Sequence, residues 1–150
     1  MASPFPFTSG QVLTAAQLNS IGEWTAYTPS TTGLTIGNGT LTGRYAQVND
    51  LVFFNVSFVM GSTSAVTGNV SFSLPVTRVN TGVAGANGYY ADTGTSYDIP
   101  AVCNMGATAV NLRVMTANST YVTTQLISAT VPFTWANTDT MSVAGFYEAA

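Results

Sequence analysis

The chain has 150 residues, with three Arg, no Lys, no His and six acids; its net charge is -3 and only 6% of residues are charged, against roughly a quarter in an ordinary soluble domain. Three dispersed cations cannot neutralise a nucleic-acid backbone, and without His or Lys there is no imidazole base, His metal ligand, Schiff base or P-loop lysine. At 46% hydrophobic and 11% aromatic, with 24 Thr, 13 Ser and 11 Asn, the chain reads as one folded domain rather than a disordered one, its surface covered by hydroxyls and amides or by other chains.

Pro4-Phe5-Pro6-Phe7 reads as an extended arm, since proline fixes its own φ and moves its neighbour out of the helical region. Phe5 and Phe7 have no evident internal partner; they cover the domain or insert into another protein. A helix of about two turns follows. Thr14 suits the N-cap and Gln17 completes a capping box. Leu13 and Leu18 are placed for a hydrophobic staple, and Gly22 suits the stop. Because isolated helices shorter than roughly 12 residues are marginal, Leu13, Leu18 and Ile21 need a surface. Their own domain is one option; a scaffold or a symmetry axis is the other. The division is therefore 1–22, arm and helix, and 23–150, β-domain.

From Glu23 onward the pattern is period two, broken by turns. Thr40 to Val48 and Leu51 to Met60 form a predicted hairpin joined at Asn49-Asp50. Val52, Phe54, Val56, Phe58 and Met60 make one face fully apolar, and the other face begins with Phe53. A polar loop is expected over Gly61 to Thr67 and a strand over Gly68 to Leu74, ended by Pro75. Further strands are expected near Ala86 to Ala91, at Ala109 to Thr116, at Tyr121 to Ile127 after a turn at Ala117-Asn118-Ser119, and at Thr140 to Glu148. Strands at this spacing predict an all-β antiparallel sandwich or jelly roll with a short N-terminal arm and helix. Met1-Ala-Ser-Pro lacks the basic and apolar regions of a signal peptide, and no apolar run approaches the roughly 20 residues of a membrane span. The expectation is a cytosolic product without a membrane partner.

Catalysis is hard to assemble from these residues. Asp92 and Asp98 are the only acids close in sequence. Their first reading is a turn cap or a solvated loop; a Ca²⁺ site or an acid/base pair on a sugar would need partners the spacing does not provide. Tyr89, Tyr90 and Tyr97 share that region, so Tyr89, Tyr90, Asp92, Tyr97 and Asp98 are the candidate ligand contacts. Trp24 and Trp135 are expected to be packed. The single cysteine, Cys103, has no His beside it and reads as a small buried hydrophobe. No metal or cofactor is expected. The N-x-S/T triplets at Asn38, Asn55, Asn69 and Asn118 are what chance supplies in so Thr- and Asn-rich a chain.

Phe7-Thr-Ser-Gly-Gln-Val-Leu-Thr-Ala-Ala-Gln-Leu-Asn19 resembles the N-terminal segment of tailed-bacteriophage tail fibres and minor tail proteins. Glu23-Trp-Thr-Ala-Tyr-Thr-Pro29 and Gly37-Asn-Gly-Thr-Leu-Thr-Gly-Arg-Tyr45 resemble the start of their β-domain. Val131-Pro-Phe-Thr-Trp-Ala136 with Thr140 to Glu148 resembles its closing strands. The middle of the chain carries no matching motif. The resemblance implies a non-enzymatic homotrimer in the virion, assembled in the host cytoplasm and attached to tail, adaptor or capsid proteins. It makes Phe7, Gly10, Leu13, Thr14, Leu18 and Asn19 attachment residues, to which the apolar Phe5 and Ile21 are added. Here that segment leads directly into one small β-domain, so the expectation is a short fibre or knob whose outward loops contact a host surface glycan. The alternatives are a capsid decoration or cement protein, a free lectin-like module and a small glycan depolymerase.

Overall fold

A computed structural model describes residues 8–150. After a helix, α1 (Ala15–Asn19), ten strands follow: β1 (Thr25–Tyr27), β2 (Thr31–Thr35), β3 (Thr40–Val48), β4 (Leu51–Val59), β5 (Ala65–Ser73), β6 (Ala84–Asp92), β7 (Tyr97–Met105), β8 (Ala109–Asn118), β9 (Tyr121–Leu126) and β10 (Thr140–Glu148). They form one antiparallel sheet in the order β1-β3-β4-β10-β6-β7-β8-β5-β2, and β9 branches from β8. The fold is all-β, as the alternation predicts.

The β3–β4 hairpin turns at the expected residues. Val48 pairs with Leu51, and Asn49 takes φ +53, which an Asn side chain tolerates. The apolar face of β4 is the inner face: Val52, Phe54, Val56 and Phe58 are fully buried. β10 lies between β4 and β6 and pairs with both along nearly its whole length. The sheet curls until these strands face β5 and β8. Phe54, Phe58, Met141, Val143 and Tyr147 on one side and Val70, Phe72, Val110 and Leu112 on the other belong to a single buried cluster. The sandwich is thus one sheet folded over rather than two separate ones.

The curl is fastened at its margins. β1 and β2 are consecutive in the chain yet sit at opposite ends of the sheet order, so the three residues 28–30 bridge one margin to the other. Tyr27 Oη donates to the Ser73 carbonyl (3.4 Å), Ser30 N–H donates to Ser73 Oγ (2.9 Å), and Ser73 N–H donates to the Ser30 carbonyl (2.9 Å).

Several boundaries differ from the sequence reading. β5 begins at Ala65, inside the expected polar loop, because Leu34 and Thr35 of β2 pair with Val66 and Ala65. β6 is longer than expected. β7 is an additional strand that carries Pro100 opposite Tyr89. β8 continues to Asn118, and the turn falls on Ser119-Thr120, with Ser119 at φ +52. The helix is shorter than two turns: Ser20 caps it, and Gly22, at φ +74, lies two residues further on.

Trp135 is packed as expected; its indole N–H donates to the Ser128 carbonyl (2.9 Å), and its ring meets Tyr90 edge-on at 5.6 Å. Trp24 is not packed. It is about half exposed, with the Arg44 guanidinium 5.0 Å over its ring, because the chain at this point runs outside the sheet margin.

Cys103 is half-buried against the core rather than fully buried as expected, and this partial burial still pushes its thiol from 9.0 up to about 11. Desolvation likewise raises Tyr147 from 10.0 to about 12, against the opposing effect of the Val76 N–H, which donates to its hydroxyl oxygen. Both groups are protonated in the folded protein over a range where the unfolded chain has released the proton. Their stabilising contribution is complete below about pH 9 and is lost as pH rises towards 12. Denaturant midpoints are therefore expected to be flat from pH 7 to 9 and to fall at pH 10 and 11. An unchanged midpoint at pH 11 would contradict the burial of these groups.

Candidate attachment surface

The helix is fixed by its local sequence. Gln17 N–H donates to Thr14 Oγ1 (3.2 Å), and Thr14 N–H donates to Gln17 Oε1 (3.0 Å), so the predicted capping box is complete. Yet α1 buries no residue. Leu18 is 58% exposed, Val12 86% and Leu13 39%. Gly10, Thr14 and Asn19 are exposed as well, and only Ile21 of the expected attachment residues is half-buried. Gly10 takes φ +82, an orientation that suits glycine. Phe5 and Phe7 lie outside the described residues. Docking of the helix onto its own domain is therefore not what holds its leucines.

The segment after the helix passes the end of β3, where a Cβ on Gly22 would sit 3.5 Å from Val48 Cγ2. Val48 also lines a groove of about 340 Å³ with Asn49, Asp50, Leu51, Val83 and Glu148. Beside the groove, on the outer face of the sheet, Phe53 and Phe146 stand on paired positions with ring centroids 6.4 Å apart. Leu51, Phe53, Val83 and Phe146 are all substantially exposed. The helix and this outer face thus present two apolar surfaces at one end of the domain. The outer-face surface is only half legible in the sequence: Phe53 marks a face that is not purely polar, but the pairing with Phe146 requires β10 to lie beside β4.

The structure separates the five candidate ligand contacts of the β6–β7 hairpin. Tyr90 is fully buried, its hydroxyl donating to the Arg113 carbonyl (3.1 Å); burial also raises its pKa. It is a core residue, not a ligand contact. Tyr89, its neighbour, points outward and faces Pro100 across the strands. Asp92 pairs with Tyr97 and so shares its face, whereas Asp98, the next residue, is on the opposite face. The two carboxylates therefore cannot flank one glycosidic bond. Asp92 Oδ1 instead accepts from Gly94 N–H (3.0 Å) and Thr95 N–H (3.2 Å), the turn-capping role read first from the sequence.

One structural acid escaped the sequence reading. Asp139 is completely buried. Its Oδ1 accepts from Thr93 N–H (3.0 Å) and Thr93 Oγ1 (3.2 Å), and its Oδ2 accepts from Ala136 N–H (2.7 Å). It ties the tip of the β6–β7 hairpin to the loop before β10. Nothing around it resembles a metal centre: among the described residues no group of three or more His, Cys, Asp or Glu converges on one point. No protein-family description, curated protein or solved structure matches the chain.

Proposed function

We propose that the chain is a structural protein of a tailed-phage virion, a short trimeric tail fibre or knob held to the particle through residues 1–22. The observation that carries this reading is the locally fixed, fully capped helix that buries none of its residues. A short helix gains most of its stability from tertiary packing, so Val12, Leu13 and Leu18 are arranged for a partner surface. Such a partner could be a tail, adaptor or capsid protein, or the neighbouring copies around a threefold axis. Repetition by symmetry makes modest single contacts strong together. The scarcity of charge suits this role, since chains packed closely against copies of themselves need not separate like charges.

The chemistry of the domain supports a binding role over a catalytic one, because the acids of the β6–β7 hairpin stand on opposite faces and one of them caps a turn. Tyr89 and Tyr97 remain exposed, and either offers an aromatic surface to a host glycan.

The test is incorporation into particles. Deleting residues 1–22, or introducing Leu13→Asp with Leu18→Asp, is expected to lower the protein's occupancy on purified particles by tenfold or more. Each buried leucine contributes about 2 kcal/mol, and about 1.4 kcal/mol is a factor of ten. The truncated domain should keep its β-sheet circular dichroism. Undiminished incorporation of the truncated protein would overturn the reading.

A further inference from the structure

β9 departs from the rest of the sheet. All six of its residues are exposed, with Tyr121 at 74% and Val122 at 71%. It pairs only with the second half of β8, while the first half of the same β8 edge is taken by β5. Its other edge meets no strand among the described residues. Soluble proteins blunt such an edge with Lys, Pro, a bulge or a covering loop. Tyr121-Val-Thr-Thr-Gln-Leu126 carries no charge and no proline, and its register with β8 runs without a shift.

The register shows what the edge offers. Asn118 and Tyr121 close a two-residue turn, so they form a hydrogen-bonded pair, and such pairs alternate along the ladder. Tyr121, Thr123 and Gln125 spend their backbone groups on β8. The N–H and C=O groups of Val122, Thr124 and Leu126 therefore point to the open edge.

We infer that β9 pairs antiparallel with β9 of a second copy of this chain, about a twofold axis through Thr124. This register sets Thr124 against itself, and Val122 against Leu126 on either side. Three outward-facing pairs supply about six backbone hydrogen bonds. Apolar Val–Leu pairs flank a Thr–Thr pair, each favourable across strands. Two identical strands can lie side by side only without like charges facing each other, and this strand has none. Val122, Thr124 and Leu126 also share a face with Met115, which is 52% exposed. Ala117 and Arg113 lie on the same face, opposite Val122 and Leu126, and pairing extends this face across the axis. The contact uses no residue of the N-terminal segment, so it stands or falls independently of the attachment reading.

The full chain carrying Cys103→Ser and Thr124→Cys is expected to form a disulfide-linked dimer under mild oxidation. Directly opposed residues of a hydrogen-bonded pair stand about 5.5 Å apart at Cα, within disulfide range. The Thr123→Cys counterpart, on the other face and opposed to Gln125, should cross-link at least about tenfold less. Thr124→Pro removes an N–H that points away from β8, so the hairpin survives, and the mass in solution should be half that of the wild type. In the unmodified protein the Val122, Thr124 and Leu126 amides should exchange more slowly as concentration rises. Equal cross-linking of both cysteine variants, a mass unchanged by Thr124→Pro, or protection of these amides only in the presence of another virion protein would overturn the proposal.

Discussion

Asp139→Ala should destabilise the domain by about 3 kcal/mol, read as a shift in the denaturant midpoint at constant slope. The carboxylate is fully buried and accepts from two backbone N–H groups, those of Thr93 and Ala136, and from the Thr93 hydroxyl. Removing it leaves those donors without an acceptor. A buried polar group left unpaired costs about 1–3 kcal/mol, more where the lost partner is charged. Asp139→Asn is the sharper variant. Its carbonyl oxygen can serve one side, but its amide N–H₂ then faces a backbone donor on the other, Thr93 or Ala136. The asparagine variant is therefore expected to lose nearly as much as the alanine one. If asparagine restores wild-type stability, the two-sided acceptor role is wrong.

Phe54→Ala should cost more, about 3–5 kcal/mol. That is a large share of the 5–15 kcal/mol that holds a typical domain together, and it should lower the melting temperature by roughly 10 °C. Phe54 is 1% exposed, its ring 5.8 Å from that of Tyr147, and it faces Tyr45 on β3 and Gly145 on β10. Little can move into the space. Its neighbour Phe53 points the other way and is 42% exposed. Phe53→Ala is expected to cost under about 1 kcal/mol in the isolated domain. The pair of variants reads the register of β4 directly, since a slip of one residue would exchange the two results.

The parts of the fold that are legible in the sequence are those whose determinants are local. The β3–β4 hairpin needs only its alternation and the Asn49-Asp50 turn, and the closing strand, Thr140–Glu148, needs only its own pattern. The capping box of α1 is likewise written in residues 14 to 17. β7 is hidden because Pro100 interrupts it and because Val102 adds an apolar residue to the outward face. β2 is hidden because its partner, β5, lies some thirty to forty residues away and the pairing shifts register midway. In the candidate sites, adjacent tyrosines on a strand must face opposite ways, yet only the packing of β6 beside β10 decides that Tyr90 is the inner one. Asp139 is illegible for a similar reason: Thr93, which it holds, is 46 residues distant. The strand at Tyr121 to Ile127 is legible from its pattern, but its full exposure is not, because only the branching of the sheet at β8 puts it outside the core.

The central position of β10 also governs how the protein is made. β4 and β6 have no contact through hydrogen bonds except by way of residues 140–148, which are joined to both. A growing chain can form the β3–β4 hairpin early, but it cannot complete the hydrogen-bonded path from β4 to β6 until this stretch has left the ribosome. Until then the inner faces of β4 and β6, including Phe54, Phe58 and Tyr90, lack the strand that joins them. Completing the sheet therefore means closing many contacts between distant parts of the chain, the kind of topology that is expected to fold slowly for its size.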